Sequence, residues 1–454
     1  MSVIAAIATS ATAAGIGIVR ISGDGAIDVA DKMFKSVSGK KICEKKGYTA
    51  LFGHVYDGST PIDEAVALLF RAPKSYTGED VVELSCHGGL FVLSRVLKAA
   101  FSCGAVPAEA GEFTKRAFLN GKLDLSRAEA VMSLIGASGE DARAAALNAL
   151  DGALSREILS CREALAKISA HFSAWVDYPD DEIPELSRGE LFSSLSEIKE
   201  RLNALLLRFD SGKAVLEGVD TVIAGRPNVG KSTLLNALSG KERAIVTPVA
   251  GTTRDVLEET VRLGNVTLRL ADTAGIRKNA ADEIEKIGVS LAKERVERAG
   301  LVLAVFDGGE ELSEDDRELL SSLNQKRLIA VVNKCDKKAS LKKDALLPYT
   351  KNIVFISAKN GDGLEDLKNT VERVVGTEGF DPTAPLITTE RQRLCVKKAV
   401  DALTEALDAL TLGVTEDAVN VCVDGAIENL SVLTGESAAE TVVNEVFKNF
   451  CVGK

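Results

Sequence analysis

The sequence predicts a multidomain protein of α/β and α+β class: an N-terminal α+β domain, a helical domain, and an α/β domain inserted into the helical one. Three observations predict it. Residues 1–120 alternate short strand-like runs with Gly, Pro and Asp turns. Residues 123–217, and again 388–411 and 425–449, carry apolar residues at three- and four-residue spacing, the period of helices packed on one face. Between these stretches, strands alternate with helices, the pattern of a mostly parallel sheet covered on both sides.

The elements follow in order. In the first domain, residues 1–121, strands are expected at 16–21, 53–56, 65–70 and 81–86, and a helix at 90–101. The first helical part, 122–217, opens at Asp124-Leu125-Ser126-Arg127-Ala128-Glu129. Pro179 and Pro184 break it within an acidic stretch, and a second helix follows over 191–209. The inserted domain, 218–378, begins with a strand at 221–225, a glycine loop and a helix at 232–238. A hairpin turned at Gly264-Asn265 comes next, then a helix near 286–299, a strand at 301–306 and a helix at 315–323. Strands at 328–332 and 353–356 and a helix at 364–375 complete it. The remaining helices, in 379–454, then pack against the first helical part. No internal repeat or low-complexity tract is evident.

Composition bounds the function. A chain of 454 residues exceeds one hydrophobic core. Its 46% hydrophobic and 27% charged content is that of a soluble globular protein. The net charge of −11 disfavours a stand-alone nucleic-acid binder, so any RNA contact must be local or borrowed from a partner. No basic patch or G-x-x-G clamp of an appended RNA-binding module stands out. The eight Cys show no C-x-x-C spacing and read as reduced thiols of a cytoplasmic protein. The apolar N-terminus lacks the early Lys or Arg of a signal peptide, and no run is long enough to span a membrane.

Gly225-Arg226-Pro227-Asn228-Val229-Gly230-Lys231-Ser232 fits G-x-x-x-x-G-K-[ST] between a predicted strand and a predicted helix. That context makes it a phosphate-binding loop, and the α/β domain a P-loop Ras-like G domain. Backbone N–H groups and the helix N-terminus face the phosphates, with Asn228, Val229, Gly230, Lys231, Ser232 and Thr233 as candidate contacts. Lys231 reaches the β- and γ-phosphates, and the Ser232 hydroxyl binds Mg²⁺. Asp272-Thr273-Ala274-Gly275 supplies an acidic residue for the magnesium shell and a glycine N–H near the γ-phosphate. In Gly251-Thr252-Thr253-Arg254-Asp255, Thr253 is the candidate switch threonine that closes on Mg²⁺. Asn333-Lys334-Cys335-Asp336 follows an apolar strand, and its carboxylate can accept from both guanine N–H donors, which adenine lacks. Ser357-Ala358-Lys359 can place a backbone N–H by the guanine carbonyl. Five such motifs in order point to a GTP-hydrolysing protein.

Many small GTPases place a water-orienting Gln directly after D-x-x-G. Here that position is Ile276, whose alkyl group cannot hold water. Arg277, Asp282, Glu283 and Glu285 are the nearby candidates. Asn228 can either ligate a monovalent cation beside the phosphates or simply stabilise its loop.

Further motifs lie outside the G domain: Gly15-Ile16-Gly17-Ile18-Val19-Arg20-Ile21-Ser22-Gly23, Thr77-Gly78-Glu79-Asp80 with Glu83 and His87-Gly88-Gly89, Gly111 through Lys122, and the terminus Phe450-Cys451-Val452-Gly453-Lys454. With these, the sequence resembles the MnmE (TrmE) family of tRNA-modification GTPases along almost its whole length. The resemblance implies a homodimer formed through the N-terminal domain. It implies a heterotetramer with the flavoprotein MnmG that places a carboxymethylaminomethyl group on carbon 5 of the tRNA wobble uridine. It implies a folate site for 5-formyltetrahydrofolate or a related cofactor, with Arg20, Glu83, Lys122 and Lys454 at its contacting positions. It gives Asn228 a K⁺-ligating role completed by Thr247, Val249 and Thr252, makes Glu285 the water-positioning residue, and links Cys451 to modification activity. Departures from the family pattern are mild: Val452 replaces Ile, Gln392 stands where His is common, and an extra residue separates Gly275 from Asp282. Two other functions stand beside this one: a regulatory or ribosome-assembly GTPase switch, and a folate-binding scaffold with a vestigial G domain. The intact Lys231, Ser232, Thr253 and Asp272 argue against the latter.

Overall fold

In the computed structural model, which describes residues 2–177, 187–241, 259–270, 299–323, 327–448 and 450–454, two sheets are joined by a helical frame. All but the last residue of the expected helix near 286–299, and the whole Pro179–Pro184 stretch, lie outside the described residues.

The first sheet collects β1 (Ile4–Ile7), β2 (Ile16–Ser22), β3 (Phe34–Ser36), β4 (Thr49–Asp57), β5 (Thr60–Phe70), β6 (Val81–His87) and β7 (Val106–Pro107) in the order β3-β4-β5-β6-β2-β1-β7. All neighbours are antiparallel except the β1–β7 pair. Alternation along the strands sends Val19, Ile21, Val82 and Leu84 into a core under helices α1 (Ala26–Met33) and α2 (Leu90–Ser102). The opposite face carries Arg20, directly across from Glu83. A short helix α3 (Glu112–Leu119) ends this region. Strands β4 and β5 extend beyond the expected spans, and β1, α1 and α3 are additional elements too short to show a period.

Helices α4 (Leu125–Gly136), α5 (Glu140–Leu150), α6 (Ala153–Asp177), α7 (Arg188–Leu207) and α8 (Phe209–Glu217) come next. Asp124 caps α4 by accepting from Arg127 N at 2.9 Å, and Ser187 opens α7 with a capping box through Glu190.

The chain then enters the second sheet. Its elements are β8 (Val219–Ala224), α9 (Lys231–Lys241), β9 (Glu259–Leu263), β10 (Val266–Leu270), β11 (Leu301–Asp307), α10 (Glu314–Ser322), β12 (Leu328–Asn333), β13 (Ile353–Phe355) and α11 (Leu364–Val375). The order is β13-β12-β11-β8-β10-β9, parallel except for the β9–β10 hairpin. Central strand β11 sends Leu301, Leu303 and Val305 into one core and Val302, Ala304 and Phe306 into another, so it is apolar throughout.

The frame resumes with α12 (Glu390–Leu412), α13 (Glu416–Thr434) and α14 (Glu440–Lys448). Leu165, Leu195 and Leu202 from before the insertion share one core with Val396, Leu403, Val423 and Leu430 from after it. The insertion expected from the sequence is therefore present. The helical stretch expected at 425–449 comprises the second half of α13 and all of α14. Gly435 ends α13 at φ +94°, and a Cβ there would stand 2.8 Å from the Phe118 ring.

A buried ion pair closes the frame. Glu129 on α4 accepts from Arg391 Nε and Nη2, each at 2.8 Å. Gln392, where the family commonly has His, donates to the same carboxylate and is fully buried. Arg391 also donates to the Val432 and Leu433 carbonyls at the end of α13. Removing one partner strands a buried charge, so Glu129→Ala is expected to cost about 3–5 kcal/mol, measurable by urea denaturation followed by far-UV circular dichroism.

Candidate functional site

The phosphate loop connects β8 to α9. Geometry requires glycine at 230: its φ is +100°, and a Cβ would stand 2.2 Å from Asn333 Nδ2. Asn228 is exposed at φ +63°, a conformation asparagine tolerates. Ser232 and Thr233 are exposed on the first turn of α9, where helix N–H groups lack intrahelical partners. The Lys231 ammonium lies back over the loop and donates to the Gly225 and Arg226 carbonyls at 2.5 and 2.7 Å. Burial pushes its pKa down. A narrow glycine cradle, a helix N-terminus and a partly desolvated cation together suit phosphate oxygens.

The base-side loops are tied to this cradle by one side chain. Asn333, buried at the end of β12, donates from Nδ2 to Val229 O and accepts at Oδ1 from Ala358 N, both at 3.0 Å. Of the backbone N–H groups in Ser357-Ala358-Lys359, that of Ala358 is thus engaged by Asn333. Lys334, at φ +66°, donates to Asn228 O and Asp307 Oδ2, both at 2.6 Å. Burial works against the charge of Asp307, yet the Lys334 ammonium and the Gly309 N–H hold its carboxyl below the usual range. Asp336 and Lys359 are exposed. Asp336 accepts from Ser357 Oγ at 2.7 Å, and that bond, before the nearby lysines, holds its carboxyl below the ordinary range. An ionised carboxylate at the rim is the acceptor that guanine's paired N–H donors need.

Sequence reasoning misses two anchors. Arg226 bonds Asp316 at 2.9 Å and Glu310 at 3.1 Å, pinning the phosphate loop to the first turn of α10 and the loop before it. Asp307, which supports Lys334, is the second. Its place directly after an apolar strand is the signal that could identify it. Thr247, Val249, Thr252, Thr253, Asp272, Thr273, Ala274, Gly275, Ile276 and Glu285 lie outside the described residues.

A second cluster sits on the first sheet. Arg20 Nε bonds Glu83 Oε1 at 2.8 Å, and its Nη1 donates to Gly453 O at 3.1 Å. Its guanidinium carbon lies 5.6 Å from the Tyr76 ring centre and 5.4 Å from that of Phe113. The terminal segment reaches it from the helical frame: Gly111 N donates to Cys451 O at 3.3 Å and Phe113 N to Lys454 O at 3.1 Å. Burial, then the neighbouring Arg20, pushes the Lys454 pKa down. Cys451 is half-buried. The structure thus brings Arg20, Glu83 and Lys454 together. Lys122 is exposed and bonds Pro73 O at 3.1 Å, in the turn that also carries Tyr76. A carboxylate that accepts N–H bonds beside two cations suits an N–H-rich ligand with an anionic tail.

Comparison with known proteins covers the whole chain. The family model of the MnmE helical domain matches residues 125–451, and that of the GTP-binding protein TrmE N-terminus matches 3–122. A tRNA modification GTPase MnmE of Clostridioides difficile (strain 630) is 41% identical over 454 residues, with 99% of each chain covered. One of Symbiobacterium thermophilum is 43% identical over 455 residues, again with 99% of each covered. Among solved structures, Era of Aquifex aeolicus aligns at 29% identity and a TM-score of 0.27, over 40% of this chain and 66% of that one, a likeness too slight to bear on fold or function.

The Ser357–Asp336 bond sets a pH dependence. Guanine binding needs the ionised carboxylate, and the serine hydroxyl lowers its pKa. Ser357→Ala removes that support, so the acid limb of GTP binding is expected to move to higher pH. A fluorescent-nucleotide titration across pH 3–7 measures it, and an unmoved limb would show that Ser357 does not tune the acceptor.

Proposed function

The chain belongs to the MnmE family of tRNA modification GTPases, and from that premise we propose a potassium-dependent GTP hydrolase. It works with an MnmG-type flavoprotein in a heterotetramer, adding a carboxymethylaminomethyl group to carbon 5 of the tRNA wobble uridine. The one-carbon unit comes from 5-formyltetrahydrofolate or a related tetrahydrofolate.

The observation that carries the nucleotide half of this reading is the Asn333 amide, which holds the phosphate loop and the base-side loops in one frame. In that frame Lys231 exchanges its carbonyl partners for phosphate oxygens. Ser232, with Thr253, would hold Mg²⁺, which supplies charge neutralisation at the β- and γ-phosphates. Asn228, exposed and conformationally fixed, would hold K⁺ with Thr247, Val249 and Thr252. Glu285 takes the water-orienting role that Ile276 cannot.

The modification half rests on the Arg20 cluster. Arg20 and Lys454 would bind the anionic tail of the folate, Glu83 would accept from its ring, and Lys122 would extend the cationic edge. Cys451 sits in the segment that completes this cluster. Domain limits at 121, 217 and 378 agree with where the first sheet's elements end, where α8 ends and where α12 follows. A homodimer through the first domain is supported by exposed apolar side chains on the outer face of its sheet, with Ile16 66% and Phe52 52% exposed. No helix among the described residues is long and apolar enough to cross a membrane.

Nucleoside analysis of tRNA from cells lacking this protein is expected to show loss of the modified wobble uridine; unchanged wobble uridines would remove the modification claim and leave GTP hydrolysis standing. GTP turnover is expected to be much faster in KCl than in NaCl, and equal rates would remove the Asn228 cation role. Deleting Cys451–Lys454 should abolish modification while steady-state GTP hydrolysis continues, whereas loss of both would make the tail a structural element only.

A further inference from the structure

The surface carries one basic patch that sequence spacing does not reveal as a module. Residues 35–48 contain five lysines against a single Glu44, in a chain of net charge −11. Lys40, Lys41 and Lys46 are exposed, Lys45 is half-buried, and Lys74 joins them from the loop after β5. The segment is held in shape rather than left to flex. Asp31 accepts from Ile42 N at 2.6 Å and Cys43 N at 3.0 Å, and Arg71, itself 3.8 Å from Asp80, donates to the Cys43 and Lys45 carbonyls at 2.8 and 3.2 Å. Both anchors hold the backbone of the segment, and Lys40, Lys41 and Lys46 stay exposed on it.

An aromatic ring completes the arrangement. Tyr48 is 65% exposed and held at φ +62°, a strained conformation for an aromatic residue. Its N–H donates to Leu69 O at 2.7 Å, its hydroxyl to Lys74 O at 3.0 Å, and its ring meets Phe70 edge-on at 5.7 Å. Strain retained on an exposed ring is uneconomical for packing alone. Lysines that neutralise phosphates beside a fixed ring on which a base can stack are the two components of single-stranded nucleic-acid recognition. We propose that the Lys40–Tyr48 segment, with Lys74, is a direct contact surface for the tRNA, taking the phosphodiester backbone on its lysines and an unpaired base on Tyr48. The same domain bears the Arg20 cluster, so the RNA would be held by the domain that holds the one-carbon donor. This inference rests on the tRNA-modification reading above.

The test uses the full chain and an unmodified tRNA transcript in a fluorescence-anisotropy titration from 50 to 200 mM salt. The Lys40→Ala/Lys41→Ala/Lys46→Ala variant is expected to bind roughly tenfold or more weakly and to lose about two to three from the slope of log affinity against log salt. Tyr48→Ala is expected to lose about fivefold or more with the slope unchanged, while Tyr48→Phe retains the affinity. Independently, tRNA should slow alkylation of the exposed Cys43 and leave that of the exposed Cys335 unchanged. GTP hydrolysis by each variant should equal that of the wild type, which guards against misfolding. Wild-type affinity in the triple variant, no binding by the wild-type chain, or unprotected Cys43 would each overturn the proposal. Failure of the tRNA-modification reading itself is distinguished by nucleoside analysis, which does not depend on which chain holds the RNA.

Discussion

The architecture depends on a buried carboxylate. Glu129 lies on the first helix of the frame, and its bidentate partner Arg391 lies on the helix where the chain returns from the inserted G domain. A frame interrupted by an insertion has a register problem, because two distant segments must find one mutual alignment. Apolar packing of Leu165, Leu195 and Leu202 against Val396 and Leu403 supplies attraction but little directionality. A guanidinium fork matched to a carboxylate supplies direction. Gln392 and Thr389 take the remaining acceptor capacity of Glu129, and the Val432 and Leu433 carbonyls take Arg391 donors. The pair therefore meets the condition under which a buried charge pair is tolerable, namely full hydrogen bonding.

Position follows from that alignment. The same frame carries α14, and Phe447 and Phe450 pack with Leu125 and Val131 of α4. This fixes where the last residues emerge, so that the Gly453 carbonyl meets Arg20 and the Lys454 carbonyl meets Phe113 N. The G domain is registered on the frame as well: Ser138 Oγ and Thr267 Oγ1 are 2.7 Å apart. Thr267 lies on the β9–β10 hairpin, between the segments that carry Thr253 and Asp272. The strands nearest the γ-phosphate-sensing motifs thus touch the turn between α4 and α5 directly.

What the sequence makes legible has a physical pattern. Long periodic elements such as α11, α12 and β11 are legible because one buried face repeats many times. The insertion is legible because helical periodicity stops and resumes around a strand–helix alternation. The nucleotide motifs are legible because phosphate and guanine recognition need particular residues at short, fixed spacing. Other features depend on contacts across long sequence separations. Arg226 meets Asp316 across 90 residues, and Arg20 meets Gly453 across 433. No local pattern encodes either pair. The second helix break is a local feature that periodicity obscures: Gly435 sits inside an apolar repeat, and only the close Phe118 ring shows why glycine is required there.

The Arg20 cluster shows how such distant pairs shape chemistry. Arg20 is nearly enclosed by Glu83, two rings and the tail carbonyl, so its charge is half satisfied before any ligand arrives. Glu83 offsets its charge directly, but Lys454 adds to it; burial first, and then the neighbouring Arg20 charge, hold the Lys454 pKa down. An anionic ligand relieves this repulsion, whereas a neutral one does not. The tail thus does more than cover the cluster: it delivers the second cation and so makes anion binding there more favourable than Arg20 and Glu83 alone could.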